Sequence, residues 1–233
     1  MSGVQAPGVY EGAANVIAAG MLLLEFGMLR QALFRDQIRL YMAQSALISV
    51  LAIVIAADRN LPDLYALAAL SAALKVVAVP LVLRRLLRRA GLDDEEEIAG
   101  VAGSHTLSPA TGVLAGIVLA AFGFFCFGAL GIHGPDPTPA PALALALAAA
   151  MVLVSFGLMI VRRDVASQAI GFFSLENAIS LASLVVASGL PLILETGFLF
   201  DLLVAVVVFG MLIRAHHSRS ESLSTADLTK LQG

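Results

Sequence analysis

Long apolar runs, interrupted by short clusters of arginine, proline or acidic residues, set the pattern of this chain. A hydrocarbon layer about 30 Å thick needs about 20 apolar residues per helical span. That ruler places helices at about residues 12–33, 39–57, 63–84, 111–132, 141–161, 168–189 and 194–213. The fifth run alternates Ala and Leu as a strand would, but its length and alanine content specify a helix. No other segment has the short alternating runs of a membrane barrel. The pattern therefore predicts an all-α integral membrane protein with about seven transmembrane helices.

Composition agrees. Of 233 residues, 59% are hydrophobic and 13% charged, with a mean hydropathy of +0.92; soluble domains carry about 45–50% apolar and about 25% charged residues. The single cysteine, Cys126, rules out a four-cysteine zinc or iron–sulfur site within the chain, and no cofactor or metal is expected. In its apolar helix Cys126 is expected to be a small buried hydrophobe. A net charge of −3 argues against a nucleic-acid partner. The segment ahead of the first apolar run lacks the basic residues of a cleavable signal peptide.

Cationic residues orient the helices. Arg30, Arg35, Arg39, Arg84, Arg85, Arg88, Arg89, Arg162, Arg163, Arg214, Arg219 and Lys230 all fall on one side if the helices number seven. Only Arg59 falls opposite, and Lys75 falls inside a span. By the positive-inside rule the N-terminus is expected outside and the C-terminus in the cytoplasm, in a multi-pass protein of the inner (cytoplasmic) membrane. The acidic run Asp93 to Glu97 reads as a solvated cytoplasmic loop, and residues 134–141 as a proline-rich outer turn. Neighbouring His216 and His217 point in different directions on a helix and suit no shared metal.

Punctuation also hints at duplication. Arg35-Asp36 and Arg163-Asp164 each open a helix, Leu61-Pro62 and Leu190-Pro191 each mark a short outer turn, and each following helix carries one internal charge, Lys75 or Asp201. The expected organisation is a three-helix unit at 1–89, an acidic loop at 90–110, a linking helix and outer turn at 111–140, a second three-helix unit at 141–213 and a polar tail at 214–233. The two units are expected to share one orientation, as a parallel repeat.

Four ionisable residues lie within spans: Glu25, Lys75, Glu176 and Asp201. Each costs roughly 2.5–3.5 kcal/mol to insert, together about 10–14 kcal/mol if unpaired. Such residues face protein or water and mark ion routes. Glu176 shares a helix face with Ser180 and Ser183, Lys75 with Ala68, Ser71 and Ala72, and Asp201 with Gly197 and Ala205. Small and hydroxylated neighbours admit a second helix. Glu25 lies five residues before Arg30 and can pair locally or snorkel. Pro80 is expected to bend the helix near Lys75, and Gly171 to loosen that of Glu176. No Ser–His dyad, paired metal carboxylates or HExxH lies in a span, so no catalytic residue is assigned.

The segment GLMIVRRDVASQAIGFFSLENAISLASLVVASG resembles the first two helices of the small K subunit of respiratory complex I and the C subunit of multisubunit cation/proton antiporters. The shared elements are Gly157-Leu158, Arg162-Arg163, Gly171 and Asn177-Ala178. The helix containing Lys75 looks like that subunit's third, with lysine where the family carries glutamate. The family's first membrane glutamate falls at Phe173 here, and Glu176 lies one turn later on the same face. A chain of this length with a K-like domain at residues 150–213 is similar to component E of hydrogenase-4 and formate hydrogenlyase membrane arms. That resemblance implies a non-catalytic subunit of a redox-driven, ion-translocating assembly. Glu176, Asp201, Lys75 and Glu25 would contribute to a lateral proton or sodium pathway, supported by Asn177, Ser180 and Ser183. Antiporter-like and complex I-like subunits would be its membrane partners, with peripheral hydrogenase or redox subunits on the cytoplasmic side. A free-standing secondary transporter and a structural spacer without conduction remain the alternatives.

Overall fold

The computed structural model describes residues 9–31, 33–89, 108–129, 142–162, 165–186, 207–208 and 210–211. Six helices among them are long and apolar enough to cross a membrane, and no strand occurs among the described residues. In chain order, α1 is Val9–Arg30 and α2 is Phe34–Arg59. α3 (Pro62–Ser71) continues through a π-helical stretch (Ala72–Ala78) into α4 (Val79–Arg89), making one rod. α5 is Pro109–Ala129, α6 Ala142–Val161 and α7 Val165–Val186. The chain is thus an all-α, multi-pass membrane protein. Of the expected seventh span (194–213) only residues 207–208 and 210–211 are described, all of them helical; Asp201, the acidic run, the Arg163-Asp164 and Leu190-Pro191 signals and the histidine pair lie outside the described residues.

Local chemistry sets the ends of these helices. Asn60 closes α2 in the left-handed conformation (φ 53°), while its N–H and that of Leu61 both bond Ala56 O; Pro62 then opens α3 with a φ already suited to a helix. Ser108 caps α5, its Oγ accepting from the Thr111 N–H at 3.2 Å. Arg59 lies over the Tyr10 ring at 5.7 Å, joining α2 to α1 at the end opposite Arg30.

α1, α2, α7 and α6 close a four-helix ring, each packing on the next; α5 lies against α1 and α6, and the α3 rod against α2. Two apolar clusters fill the ring. One, around Met28, Ile38, Tyr41, Leu158 and Phe173, lies toward the arginine-rich end; the other, around Ala18, Ile48, Met151 and Leu181, toward the opposite end. The outer faces carry Val16, Leu23, Ile117, Phe125 and Ile160, the side chains a lipid-facing surface requires.

Two glycines allow close approach. A Cβ on Gly123 of α5 would stand 2.9 Å from the backbone of Ala149 and Ala150 in α6. On Gly171 of α7 it would stand 2.7 Å from Met159 Cγ and 3.4 Å from Ser155 O. Gly171 therefore seats α7 against α6; the helix runs through it unbroken, contrary to the expected loosening. At Pro80 the distortion takes the form of a widened turn. The proline has no N–H for the preceding turn, and the turn just ahead widens, with Val79 N–H reaching Leu74 O five residues back. Ser71, Lys75, Val79 and Leu83 are consequently all buried at four-residue intervals, a spacing that an ordinary 3.6-residue turn would carry off the face.

The two hairpin turns share one closure. Gln31 N–H bonds Gly27 O at 3.0 Å and the Gln37 amide donates to Gln31 O at 3.0 Å; Arg162 N–H bonds Leu158 O at 3.3 Å and the Gln168 amide donates to Arg162 O at 2.9 Å. Arg162, expected at the cytoplasmic surface, is 1% exposed. Its Nη2 donates to the carbonyls of Met28 (3.0 Å), Leu29 (3.3 Å) and Gln31. These groups end α1 and have no partners within it, and a cation there also meets the negative end of the helix dipole. The bond sets the C-terminal ends of α1 and α6 side by side, so the two helices run in the same direction.

Close packing at Gly123 gives a direct test. Gly123→Ala is expected to push α5 from α6 and destabilise the protein by about 1–3 kcal/mol. Gly128→Ala, where a Cβ meets nothing within 4 Å, is expected to be neutral or mildly stabilising. Thermal unfolding of both variants in detergent checks the contrast.

Candidate functional site

Between the two apolar clusters lies a layer of buried polar side chains. α1 supplies Glu25, α2 Gln44 and Ser45, the π stretch Lys75, α6 Ser155, and α7 Ser174, Glu176, Asn177 and Ser180. On α7 a spacing of three or four residues holds Ser174, Asn177 and Ser180 on one face. Gly171, one turn earlier, brings that face close enough to α6 for Ser155 and Ser174 to reach the same carboxylate.

Lys75 and Glu176 form the charged half. Lys75 Nζ lies 2.7 Å from Glu176 Oε1, with side-chain exposures of 0% and 6%. The ammonium also donates to Ser180 Oγ at 3.0 Å and Asn177 Oδ1 at 3.3 Å, so each of its three protons has an acceptor. Ser180 Oγ in turn donates a hydrogen bond to Glu176 Oε1 at 3.4 Å.

The network continues through amides. With its oxygen held by Lys75, Asn177 turns its Nδ2 toward Gln44 Oε1 (3.1 Å) and Ser45 Oγ (3.0 Å). Gln44 is oriented from both ends, its Nε2 donating to Met21 O at 3.4 Å. Ser174 Oγ lies 3.2 Å from Gln44 Oε1 and 3.0 Å from Glu25 Oε1. Ser155 donates to the same Glu25 oxygen. A continuous line of hydrogen-bonding groups thus links Ser155 and Glu25 to Lys75 and Glu176.

Several expectations change. Glu25 neither pairs with Arg30 nor snorkels: it is fully buried on serine hydroxyls, while Arg30 is exposed. Ser183 is partly exposed and belongs to none of these bonds; the face turns away from the network after Ser180. Cys126 is exposed on α5, not buried. Phe173 packs its ring 5.7 Å from that of Tyr41. The sequence pattern alone does not mark Gln44, Ser45, Ser155 or Ser174; the one signal for Gln44 is an uncharged polar residue within an apolar span. No group of three His, Cys, Asp or Glu suited to a metal occurs among the described residues.

No family model matches the chain, and no solved structure does. It is 40% identical over 62 residues to an uncharacterized protein, Rv0085, of Mycobacterium tuberculosis. The match covers 27% of this chain and 28% of that protein.

Removing one member of a buried ion pair strands the other charge, a loss of about 3–5 kcal/mol. Lys75→Met and Glu176→Gln are each expected to lose stability on that scale. The double variant should recover most of it, because two neutral side chains leave no unpaired charge. A double-mutant cycle on unfolding in detergent measures the coupling.

Proposed function

We propose that this chain is a non-catalytic membrane-arm subunit of an ion-translocating assembly related to complex I or to membrane-bound hydrogenases. In this reading it holds two parallel three-helix units, with its N-terminus outside the cytoplasmic membrane. Glu25, Lys75 and Glu176, with Asp201, lend ionisable groups to a lateral proton or sodium pathway. Electron transfer belongs to other subunits, and antiporter-like neighbours continue the pathway in the membrane plane.

One observation carries the proposal. The polar layer is closed toward both membrane faces by apolar clusters, yet extends sideways from α6 through α1, α2 and α7 to the α3 rod. A channel across the bilayer would need polar groups along the membrane normal; this layer connects in the plane. A proton or charge moving along it passes between Glu25 and Glu176 through Ser174, Gln44, Asn177 and Lys75. Shifting Lys75 would take the ammonium away from the Glu176 carboxylate and from the oxygens of Ser180 and Asn177, coupling a charge movement in the rod to α7.

A second reading, a structural spacer, draws on the full complement of acceptors around Lys75. The charge-neutral Lys75→Met/Glu176→Gln double variant separates the two. As part of a pathway it is expected to assemble into its native complex but to lower ion translocation in membrane vesicles at least tenfold. As a spacer it would leave translocation at the wild-type rate. Identifying the subunits that co-purify from native membranes tests the assembly itself.

A further inference from the structure

A buried carboxylate with no basic side chain beside it draws positive charge from elsewhere. Glu25 is 0% exposed, and among the described residues no Lys, Arg or His nitrogen lies within ion-pair distance of it. Lys75 is engaged by Glu176. Taking such a charge out of water costs several kcal/mol after relaxation.

The surroundings of Glu25 are rich in oxygen and poor in protons. Ser155 Oγ and Ser174 Oγ both lie against Glu25 Oε1, and Gln44 Oε1 lies 3.2 Å from Ser174 Oγ. While Glu25 is ionised, Ser174 has one hydroxyl proton for two acceptors, so whichever way it turns, one close oxygen pair has no proton between its members. Glu25 Oε2 is buried without a hydrogen-bond partner. The Gln44 oxygen is fixed toward the cluster, because its Nε2 bonds Met21 O and its Oε1 accepts from Asn177.

We infer that this cluster of oxygens binds a dehydrated Na⁺, with ligands from Glu25, Ser155, Ser174 and Gln44. Carboxylate, hydroxyl and amide oxygens are hard donors suited to such a cation. One carboxylate balances one positive charge, whereas a divalent ion would leave a charge uncompensated in an apolar interior. The two hydroxyl protons rotate outward to admit the ion, and no covalent bond changes. A bound ion requires no conduction, so the inference stands apart from the pathway proposed above.

The test uses the full chain purified in detergent, with NaCl, LiCl, KCl or choline chloride compared at equal ionic strength. Na⁺ and Li⁺ are expected to raise Tm by about 3 °C over K⁺ and choline. They should also slow dicyclohexylcarbodiimide labelling of Glu25, mapped by peptide mass spectrometry, at least tenfold. Glu25→Gln should abolish both effects. Ser155→Ala and Ser174→Ala should keep the label but lose the protection. Equal Tm and equal Glu25 labelling in Na⁺ and choline would mean that only a proton resides there, and would overturn the inference. Protection by all four salts alike would do the same. If the serine variants fail to fold, the wild-type salt comparison decides; if Glu25 resists labelling in every salt, the Tm comparison does.

Discussion

The ion pair between Lys75 and Glu176 constrains this bundle more than any apolar contact. In lipid, an apolar helix face gains little by turning inward, because acyl chains are as apolar as leucine. A buried ammonium has no such indifference. Lys75 ties the α3 rod, which packs on α2, to α7, where Glu176, Ser180 and Asn177 accept its three protons. The π-helical turns ahead of Pro80 keep Lys75 on the buried face together with Ser71 and Val79. Such a pair adds little net stability compared with well-packed apolar residues; its effect is to select one arrangement of helices from many of similar energy.

From that anchor the interior is organised in layers along the membrane normal. Apolar side chains pack toward each end, and polar groups occupy a slab between them that touches five helical segments. Glycine and serine at the α6–α7 contact let the backbones come close enough for short side chains to span the gap. The slab joins two carboxylates of contrasting character, Glu176 held by an ammonium and Glu25 held by hydroxyls. That asymmetry is what the proposed pathway and the proposed cation site both draw on.

Much of this was legible in the sequence. The six described spans follow from run length alone, because a spanning helix satisfies its own backbone and needs only about 20 apolar residues. Lys75 and Glu176 stood out as charges in apolar runs, and their small neighbours indicated a buried face. Glu25 was misjudged because a local partner, Arg30, was visible in sequence while its actual partners lie 130 and 149 residues away. Gln44, Ser155 and Ser174 escaped notice for a related reason: uncharged polar residues are tolerated in many helices, and only packing reveals which of them converge. The widening before Pro80 was unreadable as well, since a missing N–H can be accommodated by a kink or by an enlarged turn, and neighbouring helices decide between them.

The clasp of Arg162 on the end of α1 carries a consequence for biosynthesis. The carbonyls of Met28, Leu29 and Gln31 wait for a guanidinium encoded more than 130 residues later, by which time the ribosome has translated five helical stretches. Until α6 emerges from the translocon, α1 sits in the bilayer with its terminus uncapped and its glutamate without a serine. The nascent first half therefore lacks the partners of these carbonyls and of Glu25 until the downstream hairpin has been made. Maturation comes as a late closing step, when the downstream hairpin docks against helices that were threaded into the membrane well before it.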